Sequence, residues 1–138
     1  MVEAGVTFLS RDWLALACQL FGKLPTRPGA SARLQHVVGG APGGDVVLEL
    51  TFEDGRLVRG DIAPGPVPDP DAALTITTTY PDTQLLVSGD LDLSVAVMQG
   101  RAKVAGAMDR LFAILPVMRT PEFRAALATL DERTAPPG

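Results

Sequence analysis

From Asp90 to Pro116 the chain commits to three elements with almost no slack between them. An apolar segment, Leu93 to Met98, stops at Gly100. Arg101 to Ala105 then alternate as a half-buried strand does, and Gly106 breaks the chain before a second apolar helix. The small residues of that strand leave room beneath the helices. The room is either ordinary core or a cavity.

The other elements follow from local signals. Ser10 is a good N-cap and Asp12 suits a first turn, so a helix begins here with Trp13, Leu16, Ala17, Leu20 and Phe21 on one face. Gly22 and Pro25 end it. Ala32 to Val38 predicts a strand, with Ala32, Leu34, His36 and Val38 on one side and Arg33, Gln35 and Val37 on the other. Gly39 to Gly44 lacks a following Lys-Ser/Thr pair and leads into a strand. It therefore reads as a hairpin connection and not as a phosphate loop. Val46 to Phe52 is the clearest strand, and Asp54-Gly55 is a strong hairpin turn. Leu57 to Ile62 returns, with Val58 and Ile62 expected on the covered face and Arg59 and Asp61 outside. Pro64 to Pro70 is a stiff, extended connection.

Ala73 to Tyr80 predicts a fourth strand, with Leu74, Ile76, Thr78 and Tyr80 opposite a row of threonines that suits a solvated sheet face. Pro81-Asp82 opens a short helix carrying Leu85, Leu86 and Val87, and Gly89 stops it. Asp92 or Ser94 starts the next helix, and Arg101 to Ala105 is the fifth strand. In the helix after Gly106, Met108, Leu111, Phe112 and Leu115 form a stripe wider than one sheet contact needs, and Pro116 kinks or ends it. Thr120-Pro121-Glu122 restarts a helix with Phe123, Ala126, Leu127 and Leu130 as its apolar edge.

The expected fold class is α+β: a five-stranded, mostly antiparallel sheet with helices layered on one face. A chain of 138 residues is most simply one domain. Its core is expected over about 8–118, with an extra C-terminal helix at 121–132 and a disordered tail at 133–138. Net charge is −4 with both signs scattered, so the basic footprint of a nucleic-acid binder is missing, as is a polybasic patch for anionic membranes. Cys18 is the only cysteine and reads as a small buried hydrophobe. The opening Met1 to Thr7 has no positive n-region or cleavage signal, which makes the cytoplasm the expected compartment. No metal-ligand cluster or catalytic triad is legible, and no cofactor is expected.

Three runs carry a resemblance: Leu74 to Thr79; Val87-Ser88-Gly89-Asp90-Leu91-Asp92-Leu93; and Met98-Gln99-Gly100-Arg101-Ala102-Lys103-Val104-Ala105-Gly106. Together they resemble the sterol carrier protein 2 family, whose pattern is a helix ending in Ser-Gly-Lys-Leu, a helix ending in Met/Phe-Gln-Gly, a strand of form Lys/Arg-x-Lys-Val/Ile-x-Gly, and a Met-bearing helix. The match is strongest from Ala73 to Leu115, and Leu9 to Leu14 resembles bacterial stand-alone members. Asp90 stands where the family has lysine, the Ser-Lys-Leu ending of some members is absent, and the helix after Pro121 is additional. That helix is placed to cover or line a ligand site.

The resemblance implies an apolar tunnel under the helices holding a hydrophobic ligand: a fatty acid, fatty acyl-CoA, phospholipid or sterol-like lipid. The candidate tunnel residues are Trp13, Leu50, Ile76, Leu85, Val95, Met98, Val104, Met108, Leu111, Phe112, Leu115 and Met118. His36, the one histidine, lies on the apolar side of its strand and is a candidate headgroup contact. At ~0.8 kcal/mol per buried methylene, a 16-carbon guest gains roughly 12 kcal/mol gross, of which ordering and association take back several. The expected role is non-catalytic binding or transfer of such a ligand, by a monomer or homodimer with transient membrane contact. The alternative is an accessory interaction or dimerisation module for a lipid-processing enzyme.

Overall fold

The computed structural model describes residues 5–63 and 74–135. Helix α1 (Arg11–Phe21) leads into strands β1 (Ala32–Gly39), β2 (Val46–Glu53) and β3 (Arg56–Ala63). Then come β4 (Leu74–Thr79), α2 (Tyr80–Ser88), α3 (Leu93–Met98), β5 (Lys103–Gly106), α4 (Met108–Met118) and α5 (Pro121–Arg133). The proline-rich connection, residues 64–70, lies outside the described residues, as does Ala73.

The helix starts obey the capping chemistry of the sequence. The Ser10 hydroxyl accepts from the Trp13 amide at 3.2 Å, and the Thr120 hydroxyl accepts from Phe123 at 3.2 Å. Asp92, the first of two candidates, caps α3. Thr79 caps α2, so Tyr80, expected as the last strand residue, opens the helix instead. Gly89 ends α2 at φ +86°, a left-handed conformation that glycine adopts without steric cost. Pro116 neither ends nor replaces the last turn of α4, which runs on to Met118.

The five strands form one sheet in the order β3-β2-β1-β4-β5. β1 pairs with β2, β2 with β3, and β4 with β5, all antiparallel; the central β1–β4 pair is parallel. Register aligns Leu34 with Leu50 and Leu74, and His36 with Leu48 and Ile76. Side chains alternate along strands, so these residues share one face. That face and the buried residues of α1, α3, α4 and α5 belong to a single apolar cluster, which places those helices on the same side of the sheet. The opposite face carries Arg33, Glu49, Thr51, Arg59, Asp61 and Thr77.

Two local readings are corrected. A register shift between Thr51 and Phe52 sets Phe52 against Leu57 and Thr51 against Arg59, which leaves Val58 as the extra residue of a bulge. Leu57 is therefore buried and Val58 is exposed. β5 begins at Lys103, because the Arg101 and Ala102 amides both donate to the Ala96 carbonyl of α3 instead of to a strand; the Arg101 side chain pairs with Asp82 of α2, Nη2 to Oδ1 at 2.7 Å. Arg133 completes α5, and Thr134 bridges Val6. The last residues of the expected tail, 136–138, lie outside the described residues.

Helix α1 lies close against β3. A Cβ at Gly60 would stand 3.0 Å from both Cys18 Sγ and Leu14 Cδ1, so glycine is what permits this approach. Cys18 is half-buried, and burial, followed by the charge of Asp61, pushes its thiol pKa up.

Candidate functional site

The covered face of the sheet does not fill with side chains. Between it and the helices lies a cavity of 380 Å³. Its floor is Leu34, His36, Leu48, Leu50, Phe52 and Ile76, the alternate residues of β1, β2 and β4, with Leu57 of β3 beside Phe52. α1 contributes Trp13, Leu14, Ala17 and Phe21, the i, i+1, i+4 and i+8 positions that its cap directs inward. The C-terminal half of α2 and the α2–α3 turn add Leu86, Val87 and Leu91. α5 closes the space with Phe123, Leu127 and Leu130.

α5 is held over the cavity from both ends. Phe123 packs on Phe21 with ring centroids 4.8 Å apart. At its other end the Trp13 indole Nε1–H donates to Thr134 Oγ1 at 3.1 Å, and that hydroxyl donates to the Leu130 carbonyl at 2.6 Å. The extra C-terminal helix of the sequence is therefore a wall of the cavity.

The polar groups at the cavity are few. On the floor, His36 Nε2 lies 2.8 Å from Thr78 Oγ1, which lies 2.6 Å from Thr83 Oγ1; the Thr83 hydroxyl donates to the Thr79 carbonyl at 2.7 Å. Burial lowers the His36 pKa to about 4, so the ring is neutral at pH 7. At the other extreme, the exposed lining residues Ser88, Gly89, Asp92, Arg124 and Ala128 mark a mouth between the α2–α3 turn and α5. Asp92 is engaged there. Its carboxylate accepts from the Ser94 amide at 2.8 Å and from the Ser94 hydroxyl, with Arg119 donating to that hydroxyl at 2.7 Å. The Ser94 hydrogen bond is the largest of the effects holding the Asp92 pKa down. The Arg124 guanidinium makes no hydrogen bond or ion pair among the described residues, so the mouth offers one uncommitted cation.

Of the residues singled out in the sequence, Trp13, Leu50, Ile76, Met118 and His36 line this cavity. Eight do not; for Val95, Met98, Met108 and Phe112 the reason is rotational. Of α3, only Ala96 is buried, which turns Val95 and Met98 outward; Met98 is 86% exposed. α4 buries Leu111, Ile114 and Val117, so Met108 and Phe112 face out, with Phe112 63% exposed. Leu111 sits in the solid core and Leu115 packs against its edge. Val104, opposite Ile76 on edge strand β5, is half-buried and away from the cavity. Leu85 lines a separate outer groove with Phe8, Tyr80 and Thr134. The residues that sequence reasoning missed are chiefly Phe123, Arg124 and Leu127. Their signal was present in the capped, apolar-edged segment after Thr120.

No protein-family profile matches the sequence, and no curated protein does. Solved structures do match. A conserved hypothetical protein of Thermus thermophilus, considered a candidate sterol carrier protein, superposes with a TM-score of 0.72 at 16% identity, covering 99% of this chain and 96% of its own. A crystal structure of sterol carrier protein 2 gives 0.68 at 15% identity, covering 92% and 99%. Palmitated sterol carrier protein 2-like 2 from Aedes aegypti gives 0.55 at 18% identity, covering 84% and 96%. The family resemblance carried by residues 73–115 is thus matched in three dimensions over nearly the whole chain: this is the sterol carrier protein 2 fold.

Proposed function

We propose that the protein binds a hydrophobic small molecule of lipid size in the cavity beneath α5 and carries it without transforming it. The observation that supports this most is the cavity itself. Its 380 Å³ falls within the roughly 300–1,000 Å³ of small-molecule sites. An apolar space of this kind stays dry and accepts an apolar guest. The palmitated relative in fold supports a fatty-acyl chain as a suitable size of cargo. Among the described residues the polar partner of His36 is the Thr78 hydroxyl, and the mouth carboxylate of Asp92 is occupied in capping α3, which favours binding over chemistry.

Native mass spectrometry of protein purified without denaturant, before and after delipidation, tests the reading. A lipid-sized mass increment, or displacement of a fluorescent fatty-acyl probe, is expected. A bare polypeptide mass together with no probe binding refutes it.

A second reading, docking on a membrane or on a lipid-processing enzyme, is favoured by the exposed Val95, Met98, Met108 and Phe112 on α3 and α4. Met98→Ser with Phe112→Ser is then expected to leave ligand stoichiometry intact and to slow transfer to acceptor vesicles.

A further inference from the structure

The hydroxyl chain on the cavity floor fixes where its hydrogens lie. A threonine hydroxyl has one hydrogen to give. Thr83 gives its hydrogen to the Thr79 carbonyl at 2.7 Å. In the 2.6 Å contact with Thr78 it therefore accepts, and Thr78 donates. Thr78 then has no hydrogen left for His36, so the 2.8 Å contact is made by the imidazole Nε2–H donating to Thr78 Oγ1. The opposite direction of flow would satisfy one bond fewer, because the Thr83 hydrogen would be turned away from the Thr79 carbonyl. In a neutral ring, a proton on Nε2 leaves Nδ1 as an acceptor.

That Nδ1 has no partner among the described residues, and none of their buried side-chain nitrogens or oxygens is both sealed and unsatisfied. It is therefore open to a void. His36 stands on the helix-covered face of the sheet, between Leu48 and Ile76 in register, and lines the cavity. The void is the cavity.

We propose that His36 Nδ1 is a built-in acceptor that makes the cavity selective for apolar molecules bearing a hydroxyl at the end that is buried. This rests on the ligand-binding reading above and adds the chemical class of the ligand's inner end. The register neighbours of His36, Leu48 and Ile76, are apolar, so a hydroxyl inserted beside them would lose water and regain one directed bond at Nδ1. A group that only accepts, such as an ether or ketone, would meet a lone pair. Burial keeps the ring uncharged, so the preference is for a neutral donor and not for an anion.

The test compares a long-chain primary alcohol with its methyl ether on the delipidated full chain, by displacement of a fluorescent fatty-acyl probe. Wild-type protein is expected to bind the alcohol about tenfold more tightly than the ether, the effect of one satisfied against one unmatched acceptor. His36→Leu is expected to bind both with that ratio collapsed toward one. Equal ratios in the two proteins, or a wild-type preference for the ether, overturn the proposal. Binding of neither compound by wild type would instead count against the cavity as a ligand site. Nitrogen-15 NMR of the wild-type imidazole avoids dependence on the variant's folding. The proton is expected on Nε2, with the Nδ1 resonance moving on addition of the alcohol and not of the ether. A protonated Nδ1 overturns the assignment.

Discussion

Among the described residues, His36 is the one whose ionisation the fold shifts furthest. Its pKa falls from an ordinary 6.5 to about 4 because the charged ring would be buried among apolar side chains. In the unfolded chain it protonates near 6.5. Between pH 6.5 and 4 the unfolded state thus binds more protons than the native one, and stability falls as pH falls through that window. Above pH 6.5 the contribution is flat. The full span is worth about 3 kcal/mol. Chemical denaturation across this range is expected to show the loss in wild type and a much flatter profile in His36→Gln. The carboxylates of Asp82 and Asp92 act lower. Both are held below the usual 3.8, so what they contribute is present above that value and lost only beneath it.

At the scale of elements, much was legible because it is local. Ser10, Asp92 and Thr120 start helices where capping chemistry puts them, Gly89 stops α2, and Asp54-Gly55 turns the β2–β3 hairpin. Removing one of these caps, as in Thr120→Ala, is expected to lower stability by ~1 kcal/mol in thermal or urea melts. The orientation of α4 was not legible. It carries two apolar stripes, Leu111-Ile114-Val117 and Met108-Phe112-Leu115, and either fits a helix face. Only the packing of α4 against β1, β4 and α5 decides that the first turns inward. The bulge at Val58 was hidden for a similar reason. Strict alternation gives a wrong face once an extra residue enters the strand. A paired comparison follows. Leu127→Trp, which puts bulk into the cavity, is expected to lower ligand occupancy several-fold. Met98→Ser, on the outer surface, is expected to leave occupancy within experimental error of wild type.

For the molecule as a whole, the cavity is the product of non-local contacts. Its floor comes from four strands, its walls from α1 and α2, and its cover from α5, which is pinned to α1 through Trp13, Thr134 and the Phe21–Phe123 pair. The family resemblance anticipated the fold and implied an apolar space beneath the helices. It did not locate the cavity, because beyond Leu93 the run to Pro116 mainly builds the core beside it, while α5, which covers it, lies outside the strongest resemblance, Ala73 to Leu115. The small residues of that run, Ala96 and Ala102, are buried in solid packing. The most direct measurement is therefore native mass spectrometry of wild type beside Leu127→Trp. The account predicts a lipid-sized increment on the wild-type chain that delipidation removes, that an added fatty-acyl probe restores, and that Leu127→Trp diminishes at an unchanged melting temperature. A wild-type chain that carries nothing and takes up no probe, or a Leu127→Trp chain that loads as fully as wild type, would contradict it.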